Sequence, residues 1–145
     1  MQITSLEQLQ AIKQTEIVEL PNFEDGTPFV VEIKKPNMMQ LMTSGKIPNT
    51  LLSVATEMFN GKTGQVMGKA SEEIKTLKEL VGMMEILAEA SLVKPTYKDI
   101  KKANVQLTEN QLMAILMYSQ GGVKSLENFR NQQANNKDTQ PIYKI

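Results

Sequence analysis

At 145 residues the chain has the length of one ordinary domain, enough to bury roughly two-thirds of its unfolded surface without disulfides or metals. Its 16 basic and 16 acidic residues cancel, which argues against a dedicated nucleic-acid binder. It has no cysteine and no histidine, which removes thiolate chemistry, the usual general base near neutral pH and the commonest metal ligand. No apolar run approaches the ~18 residues of a membrane span, and the first residues lack the charged-then-apolar pattern of a leader. The expectation is a soluble cytoplasmic protein.

Residues 5–13 place Leu6, Leu9 and Ile12 at helical spacing behind a Ser5 cap, which predicts a short helix. The period then changes. Residues 15–21 favour strand, and 28–35 alternate, with Phe29, Val31 and Ile33 on one side. Asp25-Gly26 between them is a turn signal, so a β-hairpin is expected over 16–34. Beyond Pro36 the chain reads as helical. Asn37 caps a short helix that stops at Gly45, and Asn49 or Thr50 caps another that stops at Asn60-Gly61.

Residues 60–70 are glycine-rich and weakly apolar, and read as a mobile loop that a protease should cut first. Ser71 opens the longest predicted helix, to about Lys94, with Ile74, Leu77, Leu80, Val81, Met84, Leu87 and Ala88 as its apolar face. Gly82 marks a close helix crossing there. A connector over 95–106 holds one helical turn at 98–102. Thr108 and Gln111 form a capping box for the next helix, which ends at Gly121-Gly122. A last helix carries Val123, Leu126 and Phe129. The expected fold is mainly α: one domain over 1–130, a bundle of about five helices with a small N-terminal hairpin, and a disordered polar tail over 131–145.

Gly61-Lys62-Thr63 has the ending of a phosphate-binding loop. Such a loop needs a glycine five residues earlier and a strand before it. Thr56 and an amphipathic helix stand there instead, and Gly64 to Lys69 has the wrong spacing as well. Glu85 and Glu89 share a helix face and read as solvated surface rather than as an acid–base pair. Glu24-Asp25 reads as a turn and not as a calcium loop. Ser44, Ser53 and Ser119 have no histidine to activate them. Lys94, Lys98, Lys101 and Lys102 around Tyr97 read as a solvated connector, with nucleic-acid contact as the alternative. Catalytic, cofactor and metal sites are therefore not expected.

Methionine is the unusual component, ten residues in 145. Met38, Met39 and Met42 share one short helix, Met83 and Met84 the long one, and Met113 and Met117 lie a turn apart. Methionine is flexible and polarisable, suited both to filling a core and to adaptable binding surfaces. The candidate partner-binding residues are Met38, Met39, Met42, Met113 and Met117, with simple core filling as the alternative.

The run over residues 23–59 carries Gly26, Pro28 and Phe29, then Ile33-Lys34-Lys35-Pro36, then Ser44-Gly45-Lys46-Ile47-Pro48-Asn49. It resembles the N-terminal region of tail assembly chaperones encoded between the tail-tube and tape-measure genes of long-tailed phages and prophages of Gram-positive bacteria. Residues 107–111 and 126–130 are similar in character. The resemblance implies a non-enzymatic, mainly helical protein in the cytoplasm of the infected or lysogenic host. It implies that the protein coats the tape-measure protein, keeps it soluble and leaves as tube subunits polymerise. Contact with the tail-tube protein and absence from the mature virion follow from the same resemblance, and near-zero net charge permits self-association along the client. The hairpin departs from a purely helical chaperone. Two rival readings are a virion component, such as a head–tail connector or tail completion protein, and a prophage regulatory binding module.

Overall fold

The computed structural model describes residues 1–138, with side chains to residue 134. Helices hold 60% of the chain, with one small antiparallel sheet, so the fold is mainly α as expected. Among the described residues there are seven α-helices rather than about five, and they do not form a simple bundle.

The chain opens with α1 (Leu6–Gln10), closed by a reciprocal Ser5–Gln8 capping box. The expected hairpin follows as β1 (Glu16–Leu20) and β2 (Phe29–Ile33), in a register that sets Glu16 opposite Ile33 and Leu20 opposite Phe29. Asp25 makes the turn through an Oδ1 that accepts the Thr27 N–H at 2.9 Å. Gly26, at φ +89°, supplies the left-handed residue. The alternation has its expected outcome. Phe29, Val31, Ile33 and Leu20 are buried, and Ile17 and Val30 face outward.

α2 (Met38–Thr43) is capped by the Asn37 side chain, as read from the sequence. The following helix enters differently. A 3₁₀ turn (Asn49–Leu51) leads from Pro48 into α3 (Leu52–Phe59), with no side-chain cap from Asn49 or Thr50. Proline at the entrance pre-sets φ, and tertiary packing does the rest.

The mobile loop expected over 60–70 is instead α4 (Thr63–Ala70). Val66 and Ala70, one turn apart, are buried on α5 with Met67 half-buried beside them. Two glycines lower helix propensity by roughly 1 kcal/mol each, but burial of an apolar stripe outweighs a local preference of that size.

α5 (Ile74–Ser91) begins at Glu73, not Ser71, and ends three residues earlier than expected. Pro95 explains the end. Its ring conflicts with a helical carbonyl at position 91, and it pushes Lys94 toward extended backbone. Residues Leu92–Lys94 accordingly form a strand absent from the sequence reading, β3. It pairs with β2 to give the sheet order β1-β2-β3, and the Lys34 N–H donates to the Ser91 carbonyl at 2.9 Å. The apolar face of α5 is also only half used. Leu80, Met83, Met84, Leu87 and Ala88 are buried, while Ile74, Leu77 and Val81 are exposed. Gly82 does mark a crossing, since a Cβ there would stand 3.1 Å from Leu51 Cδ1.

The connector turn is α6 (Tyr97–Lys102), capped by a Thr96–Asp99 box. The final helix, α7 (Glu109–Asp138), starts at the predicted Thr108–Gln111 capping box and breaks at Gly122 (φ +72°, ψ −155°). The second arm folds back along the first, because Gln133 Nε2 donates to Asn110 Oδ1 at 2.8 Å. This arm is helical to Asp138, so a disordered tail does not begin at 131. Contacts from Arg130 and Gln133 carry the helix past its last large apolar residue, Phe129. Residues 139–145 of the expected tail lie outside the described residues.

Two apolar cores result, with α5 and α7 between them. One joins α2, α3 and α4 to Leu80, Met83, Met84, Leu87 and Leu116. The other joins the sheet and α6 to Ala88, Leu92, Ala114, Ile115, Tyr118 and Leu126. The all-round apolar run 112–118 is explained by this placement: the first arm of α7 is buried on both sides.

Candidate functional site

The residues that suggested nucleotide or acid–base chemistry are absorbed by the fold. Gly61 ends α3, and the Thr63 hydroxyl donates to Gln120 Oε1 at 2.9 Å, tying α4 to α7. Gly68 and Lys69 lie inside α4. Glu85 and Glu89 are exposed on α5. The Ser44 and Ser119 hydroxyls donate to carbonyls of their own helices. The Asp25 carboxyl is held below its ordinary range by its Thr27 hydrogen bonds, which suits a turn residue and not a proton acceptor. Among the described residues no group of three or more acidic side chains is placed to hold a metal ion.

The lysine cluster is not an open stacking platform. Lys101 Nζ already sits 4.6 Å above the Tyr97 ring. Burial and the nearby charges of Glu85 and Glu89 push the Tyr97 phenol upward, which places two acids beside this basic stretch. A phosphate backbone would meet mixed charge there.

Polar groups pin the hairpin to α7. The buried Gln111 donates through Nε2 to the Pro21 carbonyl at 2.9 Å, while its Oε1 accepts from Thr108 N–H. The Tyr118 hydroxyl donates to Glu16 Oε1 at 2.9 Å. Burial, with the Glu16 carboxylate beside it, pushes the phenol up to about 12. Arg130 Nη1 donates to the Glu19 carbonyl at 3.2 Å. Arg130 and Glu19 also line an open cleft of about 890 Å³ between the hairpin loop and the two ends of α7. These bonds are structural ties, which leave Gln111 and Tyr118 already partnered.

The methionines are the residues the fold brings together. Met38, Met58, Met83 and Met84 are core members, and Met42, Met67, Met113 and Met117 pack against the same core. Eight of the ten methionines therefore belong to the α2–α5 core. The five candidates divide. Met38 is buried, Met42, Met113 and Met117 are half-buried at the rim, and Met39 is 59% exposed. Core filling accounts for Met38, and the other four retain exposed surface. The sequence reading assigns Ile74, Leu77 and Val81 to the buried face of α5, but all three are exposed; their i, i+3, i+7 spacing looks like core.

Comparison with family models, with curated proteins and with solved structures gives no match to this chain.

Proposed function

We propose that this protein is a non-enzymatic tail assembly chaperone of a long-tailed phage or prophage, which binds the tape-measure protein and keeps it soluble while the tail tube is built. The observation that carries the reading is the run from Phe23 to Phe59, with its resemblance to the N-terminal region of such chaperones. Its marker residues have a physical place in this fold. Phe29, Ile33 and Ile47 are core anchors, and Gly26 and Gly45 take positive φ at turns. They specify the path from hairpin to α3, which suits a family signature held by folding rather than by catalysis.

The methionine-rich core supports the same reading. A chaperone for a long helical client needs adaptable apolar surface and reversible contacts; Met42, Met113 and Met117 place flexible thioethers at the edge of that core, and Met39 is exposed on the same short helix as Met42. The working compartment in this reading is the host cytoplasm, and the finished particle lacks the protein. The test is a Met39→Gln/Met42→Gln/Met113→Gln/Met117→Gln variant co-expressed with the tape-measure protein of the same genome. A correctly folded variant should lose most of the client from the soluble fraction. Undiminished client solubility would remove the methionines from the binding surface.

A further inference from the structure

Residues 1–14 form an arm that buries nothing. Ile3, Leu6, Leu9 and Ile12 are 96%, 66%, 54% and 58% exposed, and α1 contains no buried residue. A five-residue helix lies far below the ~12–15 residues at which an isolated helix becomes stable in water. An α1 closed by its own capping box, with four large apolar side chains in solvent, needs a surface to lie on.

The outer face of the sheet offers one. Ile17 and Val30 are 77% and 56% exposed. They are diagonal neighbours, because Ile17 stands opposite Glu32 and Val30 opposite Glu19. The arm does not use this face in its own chain. Thr15 Oγ1 donates to Glu32 Oε2 at 2.8 Å, fixing the point where the arm leaves its sheet.

We propose that two copies of the chain exchange arms, with α1 of each lying across the Ile17–Val30 face of the other. This proposal is independent of the chaperone reading. Two arguments select a second copy as the occupant. The first is area: the six apolar residues together expose on the order of 700 Å² per copy, so an exchange that covers them approaches the share each partner contributes to an interface of standard size. The reciprocal contact is isologous and closes as a two-fold dimer, leaving no unsatisfied arm. The second is charge. The face carries acids on both hairpin strands, Glu19 and Glu32, and a base on β3, Lys94, opposite Glu32, and the arm carries one of each sign, Glu7 and Lys13. An arm laid across the sheet sets Lys13 toward the acids and Glu7 toward Lys94.

The absence of native cysteine makes a clean test available. Chains carrying Leu9→Cys alone and Val30→Cys alone are mixed and oxidised, and the wild-type chain is followed by sedimentation over a concentration series. The expected result is a disulfide-linked heterodimer in the mixture and a concentration-dependent dimer of the wild type. Leu6→Gln/Leu9→Gln should weaken dimerisation at least about tenfold and leave the monomer's unfolding midpoint unchanged, because neither side chain is buried. A wild-type chain still monomeric at ~100 µM, far above the range of a specific dimer, overturns the proposal. So does a Leu9→Cys/Val30→Cys chain that closes its disulfide within a monomer, which would mean that the arm covers its own sheet. Cross-linking confined to Leu9→Cys pairs would likewise overturn it.

Discussion

Gly122 turns α7 back on itself at φ +72° and ψ −155°, a region open essentially to glycine alone that costs an L-residue about 1–3 kcal/mol. Gly122→Ala should destabilise the protein by about 1–3 kcal/mol in urea denaturation. Gly68 gives the opposite sign. It lies inside α4 with open space around its Cβ position, so Gly68→Ala should stabilise by about 0.5–1 kcal/mol. The Gly121-Gly122 break is legible in sequence because two consecutive glycines punctuate the helical pattern. The helical state of Gly68 is not, because it depends on α5 lying underneath. Tyr118 makes a prediction in pH. Its phenol is pushed up to about 12 in the fold, while the unfolded chain ionises near the ordinary value of 10.0. A raised pKa contributes stability that is complete below the unfolded value and is lost as pH climbs toward the folded one. Stability should therefore fall between about pH 10 and 12, and Tyr118→Phe should flatten that fall while costing roughly 1 kcal/mol at pH 7 through the lost Glu16 bond. An equal slope in both proteins would disprove the assignment.

α4 is the element where local and tertiary signals disagree most. Its eight residues read as loop because glycine and lysine dominate them, and they are helical because Val66 and Ala70 reach the core. Val66→Ala should cost about 2 kcal/mol, the range for removing buried methyl groups, which thermal melts would detect. The protease expectation moves with it. In dilute solution trypsin should cut first after Lys13 in the arm and spare Lys62 and Lys69 until global unfolding. Early cleavage at Lys69 would restore the loop. The strand β3 was hidden for a different reason. Leu92-Val93-Lys94 continues the apolar pattern of α5, so periodicity runs through it, and only the backbone demands of Pro95 separate the two. The hairpin and the Thr108–Gln111 cap are legible because alternation and capping are short-range properties. Pairing of residue 92 with residue 33 is not, since it depends on where a whole helix lands.

At the scale of the molecule, α5 and α7 form a shared wall with a methionine-rich core on one side and the sheet core on the other. Met42, Met113 and Met117 lie partly exposed against the methionine-rich core, and the arm and the outer sheet face are exposed. The clustering of methionine was legible as composition. The division between buried Met38 and exposed Met39 was not, because adjacent residues of a helix point to different sides and only packing decides which side is covered. In the proposed reading, the fold-specifying motif run and the adaptable apolar core serve client binding. The most direct measurement is co-expression with the tape-measure protein of the same genome, followed by light scattering of the purified complex. The account predicts that the client is soluble only with this protein present, in a complex holding many copies of it, and that finished particles lack it. A client whose solubility is unchanged, with this chain retained in assembled particles, would contradict it and make the protein a structural part of the virion.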